Sequence, residues 1–242
     1  MPLANRATLH IGPDGTCPRC LTTHEFAVVH PALSDTVWCR NHWAEPDPYS
    51  WLREALGRAD ELPDGPILVL GAAACGEVRA LPRDRDVVCL DAERAGLQHA
   101  LALQSAGNPA LSRVQFTCAS ALDPPFEPAS FALVVCCNLV DSVSDPEVLL
   151  NQCEALLVTG GALLLSTPYQ FREEVTPRDR WLPELLGNPD DLEDAFERLV
   201  TGAWDGAFMA SMRLQWSARK VPWAVEVNAR MTALYQMHVL LL

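Results

Sequence analysis

The sequence predicts a doubly wound α/β fold: a mostly parallel sheet with an antiparallel C-terminal strand pair, preceded by a small N-terminal Cys/His module. Three observations predict this fold. Short apolar runs alternate with helical stretches over residues 67–167, two strand-like segments follow residue 210, and two Cys/His pairs lie among turn residues before position 46. Uninterrupted apolar runs are typical of strands buried on both faces, and the helices between them cover the faces of a parallel sheet.

Five apolar runs predict the strands of the parallel sheet: ILVL at 67–70, VVCL at 87–90, VQFTCA at 114–119, FALVVCCN at 131–138 and ALLLST at 162–167. The predicted helices between them are a Gly/Ala loop leading into VRAL, the segment AERAGLQHALALQSAG and the segment DPEVLLNQCEALLVTGG. The resulting order β-α-β-α-β-β-α-β is that of a Rossmann-like core.

The elements outside this core follow from the same patterns. The segment from Asp47 to Leu62 has apolar residues at helical spacing, and Asp47 followed by Pro48 suits a cap and a first turn. The segment LEDAFERLVTGAW predicts a further helix. Two strands are predicted at the carboxyl end, SMRLQWSARKVPWAVEV with an interruption at Pro222 and ARMTALYQMHVLLL, and they would close the sheet along one edge.

Composition excludes several classes of protein. The 242 residues are 49% hydrophobic with a mean hydropathy of +0.06, which is too apolar for a disordered chain. The formal net charge of −13 repels phosphate backbones, so a nucleic-acid substrate is disfavoured. No apolar stretch reaches the roughly 18 residues of a membrane span, and the first residues lack the apolar core of a signal peptide. Nine cysteines, an odd number, then indicate a reduced, cytoplasmic protein.

The sharpest local motif is ILVLGAAACGE, a buried strand that runs into a turn of small residues. Glycine and alanine let a backbone approach a cofactor closely, and the following helix N-terminus offers free N–H groups. Asp91 ends the second strand twenty positions after Gly71, where its carboxylate can accept both hydrogen bonds of a ribose diol. Dinucleotides and S-adenosylmethionine (SAM) both carry such a ribose. The turn fits the dinucleotide pattern G-x-G-x-x-G poorly, and this favours SAM.

From about residue 48 to 242, the order of these segments resembles class I SAM-dependent methyltransferases. The resemblance is strongest over residues 67–168, which include CASALDPPF after the third strand and FALVVCCNLVD in and after the fourth. It implies a SAM pocket along the carboxyl ends of the strands. The cofactor-binding residues predicted on this basis are Gly71, Ala72, Ala73, Cys75, Gly76, Asp91, Ala92, Ser120, Ala121 and Asn138.

Two later segments, NLVDSVSDP and STPYQFREEVTPRDRWL, resemble the ovothiol-type methyltransferases, which methylate an imidazole nitrogen of 4-mercaptohistidine. The family pattern is roughly N-L-I-D-R-x-x-D-P followed by S-P-Y-x-W-x-E-x-Y-T-P-R-x-x-W-L. The matching residues are Asn138, Leu139, Asp141, Asp145, Pro146, Pro168, Tyr169, Glu173, Thr176, Pro177, Arg178, Trp181 and Leu182. The resemblance implies a small-molecule or amino-acid-derived acceptor, with an imidazole or amino nitrogen as the methyl acceptor.

The sequence departs from the methyltransferase pattern at three positions. Val69 stands where the family usually has an acidic residue that organises the SAM amino group. Cys75 stands where a glycine is expected, with Gly76 one residue later, and Ser120 replaces an aspartate that contacts the adenine amino group. Each change removes a polar contact of about 1 to 3 kcal/mol at a buried site. A catalytically degenerate relative that serves as a binding or scaffold protein is therefore an alternative.

The catalytic candidates are Asp141 and Tyr169. Methyl transfer from a sulfonium is an in-line displacement, so most of the catalysis comes from aligning the nucleophile with the methyl group. Asn138 and Asp141, after the fourth strand, are predicted to contact SAM or orient the acceptor, and Tyr169 is predicted to orient the acceptor. The structural alternatives are that Asp141 caps a helix and that Tyr169 packs in the core.

Trp181 and Arg178 are the predicted substrate-binding residues. Trp181 would form an aromatic wall. Arg178 would bind a substrate carboxylate or pair with Glu173 or Glu174, and its structural alternative is a surface ion pair.

The N-terminal module, residues 1–46, is predicted to bind a structural zinc ion through Cys17, Cys20, Cys39 and His42, ahead of the methyltransferase domain at 47–242. The spacing C-x2-C-x18-C-x2-H places two close pairs on turns, which is typical of a tetrahedral site. His24 or His30 could replace His42. Reduced thiols and a redox pair are alternatives.

A second enzymatic reading comes from another resemblance, to bacterial rRNA guanine methyltransferases, which also place a Cys/His zinc module before such a core. The acidic charge and the lack of a basic stripe count against RNA. The other cysteines, in or beside apolar runs, are expected to be buried small hydrophobes, with Cys75 the candidate for reactivity. His99 and His238 are expected to be structural.

Overall fold

The computed structural model describes residues 35–203 and 212–242, which form one seven-stranded sheet in the order β3-β2-β1-β4-β5-β7-β6. The strands are β1 (Ile67–Leu70), β2 (Val87–Asp91), β3 (Val114–Cys118), β4 (Phe131–Cys137), β5 (Leu157–Thr167), β6 (Trp216–Asn228) and β7 (Met231–Leu241).

The first five strands are parallel, and β7 inserts antiparallel between β5 and β6. The chain winds outward in one direction from β1 to β3 and in the other from β4, so the strand order reverses between β1 and β4. Ligands of open α/β sheets bind at this kind of reversal, outside the carboxyl ends of the strands. The predicted fold class, a mostly parallel Rossmann-like sheet with an antiparallel C-terminal pair, is confirmed.

Six α-helices accompany the sheet in the described residues: α1 (Asp35–His42), α2 (Ser50–Leu56), α3 (Arg94–Ser105), α4 (Pro146–Leu156), α5 (Leu182–Leu185) and α6 (Leu192–Val200). Aspartates begin two of them. Asp145 Oδ1 accepts the amide of Val148 at 3.1 Å and Asp191 Oδ1 accepts that of Asp194 at 2.9 Å, so each satisfies an amide that the first helical turn leaves unpaired.

The core has two halves, one on each face of the sheet. Because strand side chains alternate between faces, Val69 and Cys137 lie on the face covered by α1, α2 and α3, whereas Leu68 and Leu70 lie on the face covered by α4, α5 and α6. Strand β4 is buried along its whole length, as its apolar run predicts.

Helix α1 also contacts the C-terminal hairpin through one side chain. Asn41 Nδ2 donates to the carbonyl of Glu226 in β6 at 2.8 Å, and Asn41 Oδ1 accepts the amide of Glu226 at 2.8 Å. The side-chain amide thus pairs with the backbone as a neighbouring strand would. No helix within 35–203 and 212–242 is long and apolar enough to cross a membrane.

Several predicted boundaries are wrong. The helix predicted from Asp47 covers only Ser50–Leu56, because Asp47 Oδ1 forms a turn with the amide of Tyr49 at 3.0 Å and Gly57 follows the last helical residue. The Gly/Ala loop leads into a single 3-10 turn, Gly76–Arg79, rather than a longer helix.

Two further differences concern strands, and a third concerns the N-terminal Cys/His module. Strand β5 begins at Leu157, five residues earlier than predicted. Strand β6 continues through Pro222, which an edge strand tolerates because one side of its backbone pairs with no other strand of the described residues. Cys39 and His42 lie on helix α1 rather than on a turn.

Candidate functional site

A cavity of about 260 Å³ lies at the carboxyl ends of β1 to β4. Five predicted cofactor residues line it: Gly71, Asp91, Ala92, Ser120 and Ala121. Sequence reasoning did not propose the rest of the lining as cofactor ligands: Leu90, Leu122, Leu139, Ser142, Val143, Ser144, Glu174 and Val175. Apart from Leu90, which lies in β2, these residues follow β3 and β4 or lie beyond β5, where no local pattern shows which loops meet.

The turn after β1 depends on close packing. Gly71 has a φ of +67°, and a Cβ there would lie 2.7 Å from a methyl carbon of Leu139. Helix α3 approaches the turn through Gly96, where a Cβ would lie 2.4 Å from the carbonyl carbon and oxygen of Ala73. Gly96 is a second positioning residue that the sequence reasoning missed. Its only signal is a glycine in the first turn of a predicted helix.

Asp91 holds this turn against the second strand. Its Oδ2 accepts the amide of Ala73 at 2.7 Å, and its Oδ1 accepts the amide of Glu93 at 2.7 Å. Burial raises the pKa of Asp91 to about 6, and the two backbone hydrogen bonds act in the opposite direction. Each oxygen keeps a second lone pair, so the carboxylate can still accept hydroxyl groups from the cavity side.

The remaining predicted residues of the turn are not among those that line the cavity; Cys75 and Gly76 lie beneath the N-terminal helices. Cys75 is fully buried, and its backbone lies in the left-handed region with a φ of +58°. A Cβ on Gly76 would lie 2.3 Å from the carbonyl oxygen of His42 and 2.6 Å from the ring of Tyr49. Trp43 Nε1 donates to the carbonyl of Ala74 at 2.8 Å. Helix α1 and the residues after it therefore cover one side of the turn.

A buried polar cluster lies under this cover. The hydroxyl of Tyr49 is 2.6 Å from Nδ1 of His42, and Glu77 interacts electrostatically with Tyr49. Burial raises the pKa of Glu77 to about 8, and burial, with a smaller contribution from His99, lowers that of His42 to about 3. Both side chains are then uncharged at neutral pH. Sequence reasoning missed Tyr49 and Glu77, because each is a single polar residue with no motif around it.

Asp141 joins the segments that follow β4 and β5. Its side chain is 2% exposed, and Oδ2 accepts the amide of Gln170 at 2.6 Å. Burial raises its pKa to about 6. Asn138, with a φ of +51°, accepts the hydroxyl of Ser166 at 2.9 Å. A narrow crevice at this point is lined by Asn138, Asp141, Ser142, Pro168, Gln170, Arg172 and Trp223. Asp145, not Asp141, caps the following helix.

Tyr169 belongs to a hydrogen-bonded chain on the sheet face covered by α4, α5 and α6. Its hydroxyl is 2.6 Å from Nδ1 of His238, whose Nε2 is 3.1 Å from Oε1 of Glu197. The ring packs edge-on against Phe196, with 5.9 Å between centroids, and burial raises the pKa of Tyr169. Among the described residues that line the 260 Å³ cavity, Tyr169 does not occur.

Trp181 and Arg178 lie further out. Trp181 Nε1 donates to the carbonyl of Thr176 at 2.8 Å, and its ring stacks on Phe171. The Arg178 guanidinium lies 5.6 Å from the centre of the Trp181 ring and forms ion pairs with Glu173 at 3.7 Å and with Glu184 at 3.4 Å. The Arg178 side chain is 66% exposed. The structure therefore places Arg178 in a surface ion pair, which is its structural alternative.

The described part of the chain provides no support for zinc. Cys17 and Cys20, with the alternative ligands His24 and His30, lie outside the described residues. Within 35–203 and 212–242, no group of three or more His, Cys, Asp or Glu side chains is arranged to hold a metal ion. The other cysteines of this part, including Cys75, are buried, as expected of small core residues.

The comparisons with known proteins agree with this geometry. Residues 68–165 match the family model of the methyltransferase domain. The YcgJ protein of Bacillus subtilis has a similar structure, with 14% identity, a TM-score of 0.51 and coverage of 80% of this chain and 95% of that chain. A SAM-dependent methyltransferase of Leishmania major has 13% identity, a TM-score of 0.51 and coverage of 86% and 72%.

Other matches are partial. One chain of the Haloferax volcanii complex that contains the Trm112 methyltransferase activator has 21% identity, a TM-score of 0.44 and coverage of 56% of each chain. The matches span about half of that chain's length and less than half of several others. No curated protein sequence is significantly similar to this chain.

The fold and the family match together support one class of protein. Residues 68–165, which match the family model of the methyltransferase domain, belong to the Rossmann-like sheet, and a cavity lies at the carboxyl ends of its strands. This supports the predicted SAM-dependent methyltransferase and its cofactor. The resemblance to ovothiol-type enzymes stays a prediction.

Proposed function

We propose that the protein transfers the methyl group of SAM to a nitrogen of a small, amino-acid-derived molecule. The observation that carries this proposal is the cavity that brings Gly71, Asp91 and Ser120 together at the reversal of strand order. Asp91 and Ser120, which are 20 and 49 positions after Gly71 in the sequence, lie together with it, as a cofactor pocket at this edge of the sheet requires.

The residues present fit the adenosyl end of SAM. At about 260 Å³, the cavity lies just below the common range of small-molecule pockets, about 300–1,000 Å³, so it suits part of the cofactor. Gly71 allows close approach of the backbone, Asp91 accepts the ribose hydroxyls, and Ser120 and Ala121 border the base. Bound SAM supplies an electrophilic methyl group on a sulfonium.

The acceptor side is the crevice between Asn138, Asp141 and Trp223. Asp141, with its pKa near 6, is mostly a carboxylate at neutral pH and can orient an N–H group or take its proton. Tyr169, between the crevice residues Pro168 and Gln170 in sequence, would orient the acceptor, and Arg178 with Trp181 would meet a substrate carboxylate. These roles rest on position and chemistry.

The partners and the compartment remain those expected from the sequence. The net charge of −13 favours a small-molecule substrate over nucleic acid, and a cytoplasmic location follows from cysteine usage. Zinc at Cys17, Cys20, Cys39 and His42 in a module spanning 1–46 is part of the proposal. Metal analysis of untagged protein tests it, and less than half an equivalent of zinc would contradict the site.

Calorimetric titration with SAM and with its demethylated product S-adenosylhomocysteine tests the cofactor. We expect saturable binding of both, weakened about tenfold or more by Asp91→Ala, because the ribose hydrogen bonds are lost. Asp86→Asn, an exposed change at the start of β2, is the matched control. Unchanged affinity in Asp91→Ala would contradict the proposed pocket.

The second candidate function is a binding or scaffold protein without catalysis. One observation favours it: both Asp91 oxygens already accept backbone amides. Failure of both ligands to bind at millimolar concentration would support this candidate over the enzyme.

A further inference from the structure

Another cavity, of about 380 Å³, lies apart from the cofactor cavity. It is bordered by the segment that joins α1 to α2, by the end of the 3-10 turn Gly76–Arg79 and by the loop after α3. Among the described residues, those that line it and those that line the 260 Å³ cavity are entirely different. Its volume falls within the common range of small-molecule pockets, about 300–1,000 Å³, so it can hold a ligand of its own.

The lining of this second cavity carries an excess of positive charge in a chain whose net charge is −13. Three arginines line it, and two of them are paired. Arg79 forms an ion pair with Glu45 and lies 3.9 Å from Asp47, and Arg53 Nη2 is 3.3 Å from Asp47 Oδ2. The two carboxylates offset two of the three arginine charges. The charge of Arg83 is left over, so an anion with one negative charge would balance the lining.

Arg83 and Asn108 provide the hydrogen-bond donors for such an anion. The Arg83 side chain is exposed and has no partner among the residues that the structure describes. Its guanidinium presents a planar fork of N–H groups, which matches the two oxygens of a carboxylate. Asn108 Oδ1 accepts the amide of Ala110 at 3.0 Å, so the orientation of the side-chain amide is fixed and Nδ2 remains available to donate.

Trp43 provides an apolar wall of the same cavity. Its Nε1 donates to the carbonyl of Ala74 at 2.8 Å, which holds the indole in place, and the Arg79 guanidinium lies 5.9 Å from the centre of the ring. Pro109 and Ala110 add further apolar surface to the lining. An aromatic ring packs well against such a surface, so the body of the ligand is expected to be flat and apolar.

We propose that this cavity binds a small aromatic carboxylate, with the carboxylate on Arg83 and Asn108 Nδ2 and the ring against Trp43. A carboxylate fits better than a phosphate monoester, because a second negative charge would find no unpaired cation in the described lining. The site is separate from the cofactor cavity, and the proposal does not depend on the proposed function.

Calorimetric titration of the full chain with benzoate, benzamide and inorganic phosphate at pH 7 tests the ligand class. We expect saturable binding of benzoate. Benzamide has nearly the same shape without the charge, and it should bind at least about tenfold more weakly because the charged hydrogen bond to Arg83 is lost. Tighter binding of phosphate than of benzoate would contradict the assignment to a carboxylate.

Two variants and a matched control test the residues. Arg83→Gln should weaken benzoate about tenfold or more and leave benzamide nearly unchanged. Asn108→Asp keeps the acceptor for the Ala110 amide but replaces the Nδ2 donor with a negatively charged oxygen, so benzoate should again bind about tenfold more weakly. Arg58→Gln removes an exposed arginine that lies just after α2 and does not line the cavity, and it should change neither affinity.

The outcomes decide the proposal independently of the cofactor. Lack of saturable benzoate binding, or equal affinities for benzoate and benzamide, would overturn it. Equal losses in Arg83→Gln and Arg58→Gln would overturn it too, because they would show an effect of net charge rather than a site. Benzoate should bind equally well with saturating S-adenosylhomocysteine present, and displacement would place it in the cofactor cavity instead. If S-adenosylhomocysteine does not bind, the proposed function fails while the carboxylate site stands.

Discussion

Asp91 Oδ2 accepts a hydrogen bond of 2.7 Å from the backbone amide of Ala73, so the second strand directly fixes the turn that follows the first. A carboxylate that accepts backbone amides in a buried site contributes both structure and charge. The cofactor turn is thus held in shape before any ligand binds.

Asp91→Asn should lower the stability of the protein by about 1 to 3 kcal/mol. The asparagine amide group can replace only one of the two acceptors, so either the Ala73 or the Glu93 amide is left facing a donor. Urea unfolding measures the loss. Asp86→Asn, at an exposed site, should change stability by less than about 1 kcal/mol. Equal stability of Asp91→Asn and wild type would contradict a stabilising role of the two hydrogen bonds that Asp91 accepts.

Gly76→Ala should lower the stability of the protein by about 1 to 3 kcal/mol or more. The new methyl group would lie 2.3 Å from the His42 carbonyl oxygen, so helix α1 or the turn must move. Gly57→Ala is the control and should cost less, because its φ of −68° suits alanine and its closest contact is 3.3 Å. Thermal unfolding of the two variants makes the comparison, and similar melting temperatures would show that α1 does not press on the turn.

Tyr169→Phe should lower stability by about 0.5 to 1.5 kcal/mol through loss of the hydrogen bond to His238. The affinity for S-adenosylhomocysteine should stay within about twofold, because Tyr169 is remote from the cavity lining. A double-mutant cycle with His238→Gln isolates the coupling between the two side chains. A coupling energy near zero would show that the contact does not stabilise the fold, and unchanged turnover in Tyr169→Phe would remove Tyr169 from the mechanism.

The pH dependence of stability should differ between the wild type and Glu77→Gln. Burial raises the pKa of Glu77 from its ordinary 4.5 to about 8, so the folded state binds this proton more tightly than the unfolded state does. The stability it contributes is complete below pH 4.5 and is lost as pH rises through 8. Between pH 6 and 9, the wild type should lose about 2 to 3 kcal/mol relative to the glutamine variant. Urea unfolding at both pH values measures the free energy of unfolding of each protein. The same change in that free energy for the wild type and for Glu77→Gln would contradict this prediction.

Much of the fold could be predicted because parallel strands buried on both faces leave continuous apolar runs in the sequence. β1, β2 and β4 follow such runs, and the turn of small residues with Asp91 twenty positions later identified two residues of the cavity lining, Gly71 and Asp91. Helix boundaries were less predictable. Helix α1 is stabilised by a tertiary contact between Asn41 and Glu226, 185 positions apart, which no local pattern contains.

The rest of the site could not be predicted for a similar reason. Glu77 becomes a buried acid only because α1 and α2 fold over it, and the same residue on an uncovered turn would be an ordinary exposed glutamate. Tyr169 contacts His238, which is 69 positions later in the sequence, because β5 pairs with β7. A motif identified Tyr169 as notable, but only the sheet topology shows which side chain it contacts.

Helix α1 touches two parts of the molecule at once, the hairpin through Asn41 and the Gly76 turn through the His42 carbonyl. We therefore expect a shift of that turn on ligand binding to move the helix and, through Asn41, β6. The backbone amides of α1 would then exchange with deuterated solvent more slowly once the turn is held by a ligand. Amide exchange in α1, which takes no part in the proposed reaction, would thus show whether a ligand occupies the cavity.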